Sequence, residues 1–489
     1  MTKKKTCAVI GSGIGGIAAA IRLAAKGYKV EVFESNSYAG GKIRQSYAKG
    51  YRFDMGPSII TLPHLIDELF ELHNKNPRDY FNYKQLEKPF KYFFPDGVVI
   101  NSFADINRFS NEIAEKTKDS KESFKRYLKS IKTKYDITKP VFIESSIHRF
   151  KDFLKKDFFY GVVNFHKIDA FTTMDEDNKH YFQDSHIIEL LNYYATYVGS
   201  NPFQAPATLN VIPHVEIGLG LFMPKKGVYS MIEALIQLAN EVGVKFHFNT
   251  RIDEIIIKNK IASGVRINND IKEYNVIVSN MDVYFTYQKL LPNNKGPQRI
   301  LNQPKSSSVI GFYWGINREY QSMELHNMFF SSNQKEEYET VFHKKTIYKD
   351  PTLYIYISSK HVNKDAPKGS ENWFVLINAP NNEGQNWEEL IKESRKFAIK
   401  KINTILNTSI EKHIEYEGNI SPSSIEVDYS SAFGSVYGNS SNKKFAAFLR
   451  HANFSRKVKN LYFVGGSVHP GAGIPMCLNS AKIMEQVMH

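Results

Sequence analysis

Two cysteines in 489 residues, Cys7 and Cys477, exclude a disulfide framework, and neither belongs to a C-x-x-C pair. A reduced, cytoplasmic compartment is the simplest setting, and both lie in apolar runs, as inert core cysteines do. Long apolar runs are lacking too. The longest charge-free stretches, 191–215 and 461–481, contain prolines and polar residues throughout, so neither reads as a transmembrane helix. No metal-ligand spacing, RNA-binding signature, internal repeat, nucleophile triad or paired carboxylates stand out. Acidic charge is short: 64 Lys+Arg stand against 50 Asp+Glu, a net +14. Because the basic residues are spread over the whole chain, nucleic acid is a poor fit. Solubility alone accounts for such a surplus. An anionic membrane surface is the best specific partner, since each nearby Lys or Arg contributes about 1 kcal/mol there.

What is present is ample core material, 42% hydrophobic and 13% aromatic, enough for two or three domains. Lys3, Lys4 and Lys5 ahead of an apolar run imitate a signal peptide. Glycines interrupt that run at nucleotide-motif spacing, however, and a strand pattern ending in Glu34 comes next. Residues 7–10 read as a buried parallel strand, 14–26 as an alanine-rich helix stopped by Gly27, and 29–33 as a second strand. That is one βαβ unit. From about 84 to 210 the pattern turns to aromatic and basic segments with helical periodicity. A helix is expected at 229–242, then strands at 244–248, 252–257, 264–267 and 274–279. An irregular stretch covers 284–429. The chain closes with a strand at 461–464, a Gly/Pro-rich turn and a helix from about Pro475.

Nucleotide-type elements at the start, middle and end predict an α/β fold built on a discontinuous Rossmann-like domain, with parts at 1–83, 225–283 and 430–489. The insertions, 84–224 and 284–429, are expected to form a helical, membrane-associated region and an α+β substrate-binding domain. Gly11, Gly13 and Gly16 form G-x-G-x-x-G between a strand and a helix, with acidic Glu34 ending the next strand. The first glycine makes the tight turn, the second admits a pyrophosphate, and the third packs helix on strand. The helix N-terminus offers free N–H groups to the phosphates. Glu34 suits ribose hydroxyls and disfavours a 2′-phosphate.

FAD and NAD share this fingerprint, so the choice between them rests on residues further along the chain. Gly40, Gly41 and Lys42 come just after Glu34, with Arg44 two residues on, then Phe53-Asp-Met-Gly-Pro-Ser58. At the far end, 461–476 runs from an apolar strand through glycines to a second helix N-terminus near Pro475, suited to an electron-rich ring edge. His469 in that turn is a candidate base or a structural hydrogen-bonding histidine.

These motifs together resemble the bacterial phytoene-desaturase-type carotenoid desaturases. The glycine motif with Glu34, the Gly40-Gly41-Lys42 segment, Phe53–Ser58 and Val464-Gly-Gly-Ser-Val-His-Pro-Gly-Ala-Gly-Ile-Pro475 carry the likeness. It extends through Gly199–Pro206 and Pro224–Met231 to essentially the whole chain. Two departures are Lys226-Gly227, where the family often has Gly-Gly, and Lys42, where it has Arg. Segments 56–63 and 76–83 are most similar to the 1-hydroxycarotenoid 3,4-desaturase branch.

The resemblance implies FAD, held near its ADP half by Gly11, Gly13, Gly15, Gly16, Glu34, Gly41 and Lys42. It also implies contacts from Gly56, Pro57, Ser58 and Ile252, and at the flavin end from Gly466, Ser467, Gly473, Ile474, Pro475 and Met476. The implied chemistry is hydride transfer from an allylic C–H to the flavin with loss of a neighbouring proton. The polyene delocalises the intermediate cation, so no strong base is required, and no catalytic residue or metal is assigned. Implied partners are a carotenoid, an anionic membrane surface at the inner face of the membrane, and oxygen or a quinone as electron acceptor. Phytoene desaturation, another flavin oxidation of the amine-oxidase or protoporphyrinogen-oxidase kind, and a non-catalytic relative of the Rab GDP-dissociation inhibitors stand as alternatives. Phe150, Phe153, Phe158, Phe159 and Tyr160, interleaved with Arg149, Lys151, Lys155 and Lys156, suit either an interfacial segment or an insertion helix with its aromatics turned inward.

Overall fold

The computed structural model describes residues 4–294, 296–443 and 446–488, so Lys3 of the N-terminal lysine run lies outside them. The chain opens with β1 (Thr6–Ile10), α1 (Ile14–Ala25) and β2 (Lys29–Phe33). Strand β1 pairs in parallel with β2 and with Val276–Ser279, whose other neighbour is Leu461–Phe463; Lys245–His247 flanks β2. Five parallel strands from the beginning, middle and end of the chain thus form one sheet. Both faces are covered, which is why β1 reads as an unbroken apolar run. On one face lie α1, the helix Ser230–Glu241 and the C-terminal helix Ile474–Val487. Ile17, Ile21 and Leu23 of α1 are fully buried there, each contributing roughly 1.5–3 kcal/mol.

A three-stranded antiparallel sheet, Glu254–Lys258, Ile261–Ile267 and Asp270–Glu273, covers the other face. Its third strand is exposed along its whole length and polar, so the sequence offers no alternation to find it by. Ile252, expected to open a strand, is buried in the connection before the first of these strands.

The stretch 284–429 is the larger surprise. It supplies five strands of a seven-stranded sheet, in the order Ile414–Ile420, Ser308–Ile316, Glu371–Ala379, Leu353–Tyr356, His326–Phe329, Lys91–Phe93, Val99–Asn101. The central strands are buried on both faces, which removes the period of two and explains the irregular appearance. The last two strands come from 84–210, so the helical character read there begins only at Ile106. With three residues apiece they are too short to show any periodicity. The helix Trp387–Leu406 closes one face of this sheet. The other face looks towards Ile106–Lys116, Lys121–Thr138 and the short helices beyond them. Among the described residues, no helix is long and apolar enough to cross a membrane.

Candidate functional site

The carboxyl ends of β1, Val276–Ser279 and Leu461–Phe463 converge where the strand order reverses, the usual ligand crevice of such sheets. Gly11 turns the chain with φ +91° and donates its N–H to Phe33 O at 2.8 Å. Gly40 donates to Ser12 O at 2.9 Å, laying the second glycine segment against the first. Asn280, unsuspected in the sequence, is the plug they share. A Cβ on Gly13 would lie 2.6 Å from its side chain, and Cβ atoms on Gly15 and Gly465 would each lie 2.8 Å from it. Its place just past a parallel strand was the signal available.

Gly11, Gly13, Gly15 and Gly41 border one large cavity of about 970 Å³. Gly16 does not reach its wall; a Cβ there would sit 2.2 Å from Gly11 O, so its work is packing. No side chain caps the first turn of α1, which leaves N–H groups free beside Gly13. Glu34 also borders the cavity. One carboxylate oxygen accepts from Ser12 N and Ser12 Oγ, both at 2.8 Å, and the other from Asn36 N at 2.9 Å. It therefore fixes the glycine turn while retaining lone pairs for a ligand hydroxyl.

Gly56, Pro57, Ser58, Ile252, Gly466 and Ser467 border the same cavity, as do Gly473, Ile474, Pro475 and Met476 from the far end of the chain. Ser58 Oγ shares a 2.6 Å hydrogen bond with Tyr354, and Ser467 Oγ accepts from Val283 N. The C-terminal helix starts at Gly473 without a side-chain cap. Lys42 reaches the cavity wall with its ammonium donating to Val436 O at 3.0 Å, and burial lowers its pKa against the pull of Asp282.

Nearby, Arg450 is buried with no carboxylate partner among the described residues, its guanidinium donating to the carbonyls of Tyr437, Gly466 and Asn439; burial brings it down to about 10. Nothing in its local sequence marked it. His469 lies off the cavity wall, hydrogen-bonded to Ser145 O at 2.8 Å, and burial pushes it down to about 3. Its backbone hydrogen bond and its place behind the wall fit the structural alternative better than the base. Cys7 is fully buried, whereas Cys477 borders the cavity, its thiol pushed up to about 11 by burial.

Beyond the glycine turns the cavity is walled by apolar side chains such as Ile59, Ile212, Val309, Met328, Phe374 and Leu376. It also touches Phe142 and Ile143, which lead into the segment 142–165. There Phe150, Phe153, Leu154, Phe159, Val162 and Val163 are exposed, contrary to an inward packing of the aromatics. Of the aromatics at 150, 153, 158, 159 and 160, Phe158 alone is partly drawn in, between Phe153 and Phe159.

A cradle without Cβ atoms, two uncapped helix starts and an acidic residue at the end of β2 fit a dinucleotide with an unphosphorylated ribose. The family of flavin containing amine oxidoreductases matches residues 14–285. The chain belongs to that family. It is an FAD-dependent oxidoreductase, not a non-catalytic relative of the fold. Among members of known activity, a 1-hydroxycarotenoid 3,4-desaturase from Flavobacterium sp. (strain P99-3) is 44% identical over 98% of this chain and 98% of its own. A 4,4'-diaponeurosporene oxygenase from Staphylococcus aureus (strain bovine RF122 / ET3-1) is 34% identical over 97% of this chain and 96% of that one. A putrescine oxidase structure superposes with a TM-score of 0.65 over 99% of this chain and 97% of its own; at 13% identity this is a likeness of fold alone.

Proposed function

We propose that this flavoenzyme introduces a C=C bond at the 3,4 position of a 1-hydroxycarotenoid. The observation that carries the reading is the full-length identity of 44% to a 1-hydroxycarotenoid 3,4-desaturase, which spans both the glycine cradle and the walls of the cavity. An apolar cavity running from the glycine turns towards an exposed apolar segment suits a long polyene. The proposed cofactor domain comprises 1–83, 225–283 and 430–489, with 84–224 and 284–429 enclosing substrate.

In this reading Gly11, Gly13, Gly15 and the start of α1 hold the pyrophosphate, with Gly16 supporting the turn, and Glu34 takes the ribose. Gly41, Lys42, Gly56, Pro57, Ser58 and Ile252 line the length of the cofactor. Gly466, Ser467 and Gly473 to Met476 border its ring. FAD bound there supplies the hydride acceptor. The protein orients the polyene and keeps water from the cation, so no dedicated strong base is needed. A single nucleotide fingerprint argues for oxygen or a quinone, rather than a second nucleotide, as the final acceptor.

Expression in cells making hydroxylated γ-carotene or, separately, phytoene tests the reading by product analysis. A new double bond at the hydroxylated end is expected; conversion of phytoene alone overturns it.

The exposed segment is proposed to rest on an anionic membrane at the inner face, admitting substrate beside Phe142 and Ile143. Reversing Lys151, Lys155 and Lys156 to glutamate is expected to weaken binding to phosphatidylglycerol vesicles by about a hundredfold or more. Unchanged co-sedimentation sinks the membrane role.

A further inference from the structure

A C40 hydrocarbon with one hydroxyl poses a specific problem to an apolar cavity. The chain slides in favourably, but the hydroxyl leaves water and must find a partner, or its burial costs about 1–3 kcal/mol. The position of that partner is constrained by the proposed reaction. Carbon 1 bears the hydroxyl and carbons 3 and 4 react, so a polar seat has to lie at the reacting end of the cavity, a few bonds from the ring.

The carboxylates on the cavity wall are few. Glu34 is tied to the glycine turn, and Asp282 accepts from Tyr284 N and Ala432 N. Asp428 is exposed. Glu216 is different: 3% exposed, on the cavity wall, and away from every residue of the glycine cradle in sequence. It sits in a π-helical turn, His214–Gly218, a geometry often found at functional sites. One oxygen accepts from Tyr194 OH at 2.6 Å and the other from Tyr197 OH at 2.9 Å. No cation is paired with it among the described residues. A carboxyl group offers about four acceptor positions, so two remain after both tyrosines are counted.

Tyr197 lies on the same wall. The Glu216 charge is felt at Tyr354, where it helps keep the hydroxyl neutral, and Tyr354 is the hydrogen-bond partner of Ser58 in the Gly56-Pro57-Ser58 segment. The carboxyl group is thereby linked, through Tyr354, to the Gly56-Pro57-Ser58 segment, which borders the same cavity. A clamp that served the fold alone would be closed off from the cavity; this one opens onto it.

We propose that Glu216, braced by Tyr194 and Tyr197, is the seat for the carotenoid hydroxyl and so sets the preference for a hydroxylated substrate. The assignment rests on the desaturase reading above. Hydrogen bonding to a charged acceptor is about twice as strong as to a neutral one, so the seat works best as a carboxylate. Burial pushes Glu216 up to about 7, against the two tyrosine hydrogen bonds that pull it down. The groups facing it are Tyr92, Tyr194, Tyr197 and Tyr354, whose hydroxyls burial keeps neutral far beyond that range. His214, in the same turn, packs on Tyr135.

The test compares kcat/KM for the 1-hydroxylated carotenoid with that for the same carotenoid lacking the hydroxyl, using the flavin-loaded enzyme in vesicles. Glu216→Leu is expected to lower this preference about tenfold or more, and Tyr197→Phe about threefold. In the wild type the preference climbs as pH rises through about 7, and Glu216→Gln makes it flat with pH. Flavin content and melting temperature establish that each variant is folded, and Glu216→Gln, nearly isosteric, keeps the comparison available should the leucine variant not fold. A fall by the same factor on both substrates, or a preference unmoved in every variant, overturns the seat. A wild-type enzyme that ignores the hydroxylated carotenoid overturns the desaturase reading, and this assignment with it.

Discussion

Gly16→Val is expected to leave a folded protein that has lost most of its flavin. Any Cβ at position 16 falls 2.2 Å from Gly11 O and 3.1 Å from Asn280 Cβ, and both neighbours are fixed. Gly11 is held by its hydrogen bond to Phe33, and Asn280 is wedged among Gly13, Gly15, Gly16 and Gly465, its N–H bonded to Ile10 O. The strain is relieved only by moving the start of α1 away from the turn, which carries its free N–H groups away from the place proposed for the phosphates. Overpacking of this kind costs about 1–3 kcal/mol, or roughly a 5- to 150-fold weakening of FAD. Absorbance near the flavin bands per mole of purified protein, then FAD titration of the apoprotein, measures it. Gly27→Ala is the matched control, because nothing lies within 4 Å of a Cβ there and its φ of +82° brings only local strain. A valine variant that retains full flavin would show that the α1 turn does not hold the cofactor.

The contrast between Gly16 and Glu216 shows how unevenly sequence exposes structure. The βαβ opening was legible because the features involved are local: a glycine turn, a helix of alanines, an acidic residue ending the next strand. The C-terminal turn was legible for the same reason, and the parallel sheet then brought the two together. The seven-stranded sheet was not. Its strands Ser308–Ile316 and Glu371–Ala379 are buried on both faces, so they show no alternation, and the sheet is completed by three-residue strands from far upstream in the chain. Asn280, Arg450 and Glu216 were missed for a third reason. Each takes its meaning from partners distant in the chain or only from the shape of the cavity, as Arg450 does from the Gly466 carbonyl and Asn280 from Gly13 and Gly465. Gly227 is a different case, marked in the sequence but without the reason it is glycine. It stands in the departure from the family's Gly-Gly, and a Cβ on it would lie 1.9 Å from Arg52 Nη2.

That contact points to the position where a single change is expected to damage the fold most. Arg52 lies in the strand Tyr51–Met55 and grips Asp365 in a bidentate pair, Nε and Nη2 each at 2.7 Å, while Nη1 donates to Asp54 at 2.8 Å. All three side chains are at most 8% exposed. Asp54 in turn accepts from Val228 N and Tyr229 N at the start of the helix Ser230–Glu241, and Asn372 Nδ2 donates to Arg52 O. Arg52 thus ties the strand before the Gly56-Pro57-Ser58 segment to a helix of the parallel sheet through Asp54, to a connection of the seven-stranded sheet through Asp365, and to that sheet's strand Glu371–Ala379 through its own carbonyl. Burial opposes its charge, and the hydrogen bonds and charges of the two aspartates override that opposition. Arg52→Met leaves both carboxylates buried without a cation, which is expected to lower unfolding free energy by about 3–5 kcal/mol. Arg52→Lys restores the charge but not the fork, so it falls between. Adding Asp365→Asn to Arg52→Met removes one orphaned charge and is expected to recover part of the loss, the signature of a coupled pair. Denaturant unfolding of the flavin-loaded wild type and of these three variants reads the differences. If the methionine variant unfolds within about 1 kcal/mol of wild type, an ordinary surface-pair effect, the two sheets are held together by their apolar contacts and not by this ion network.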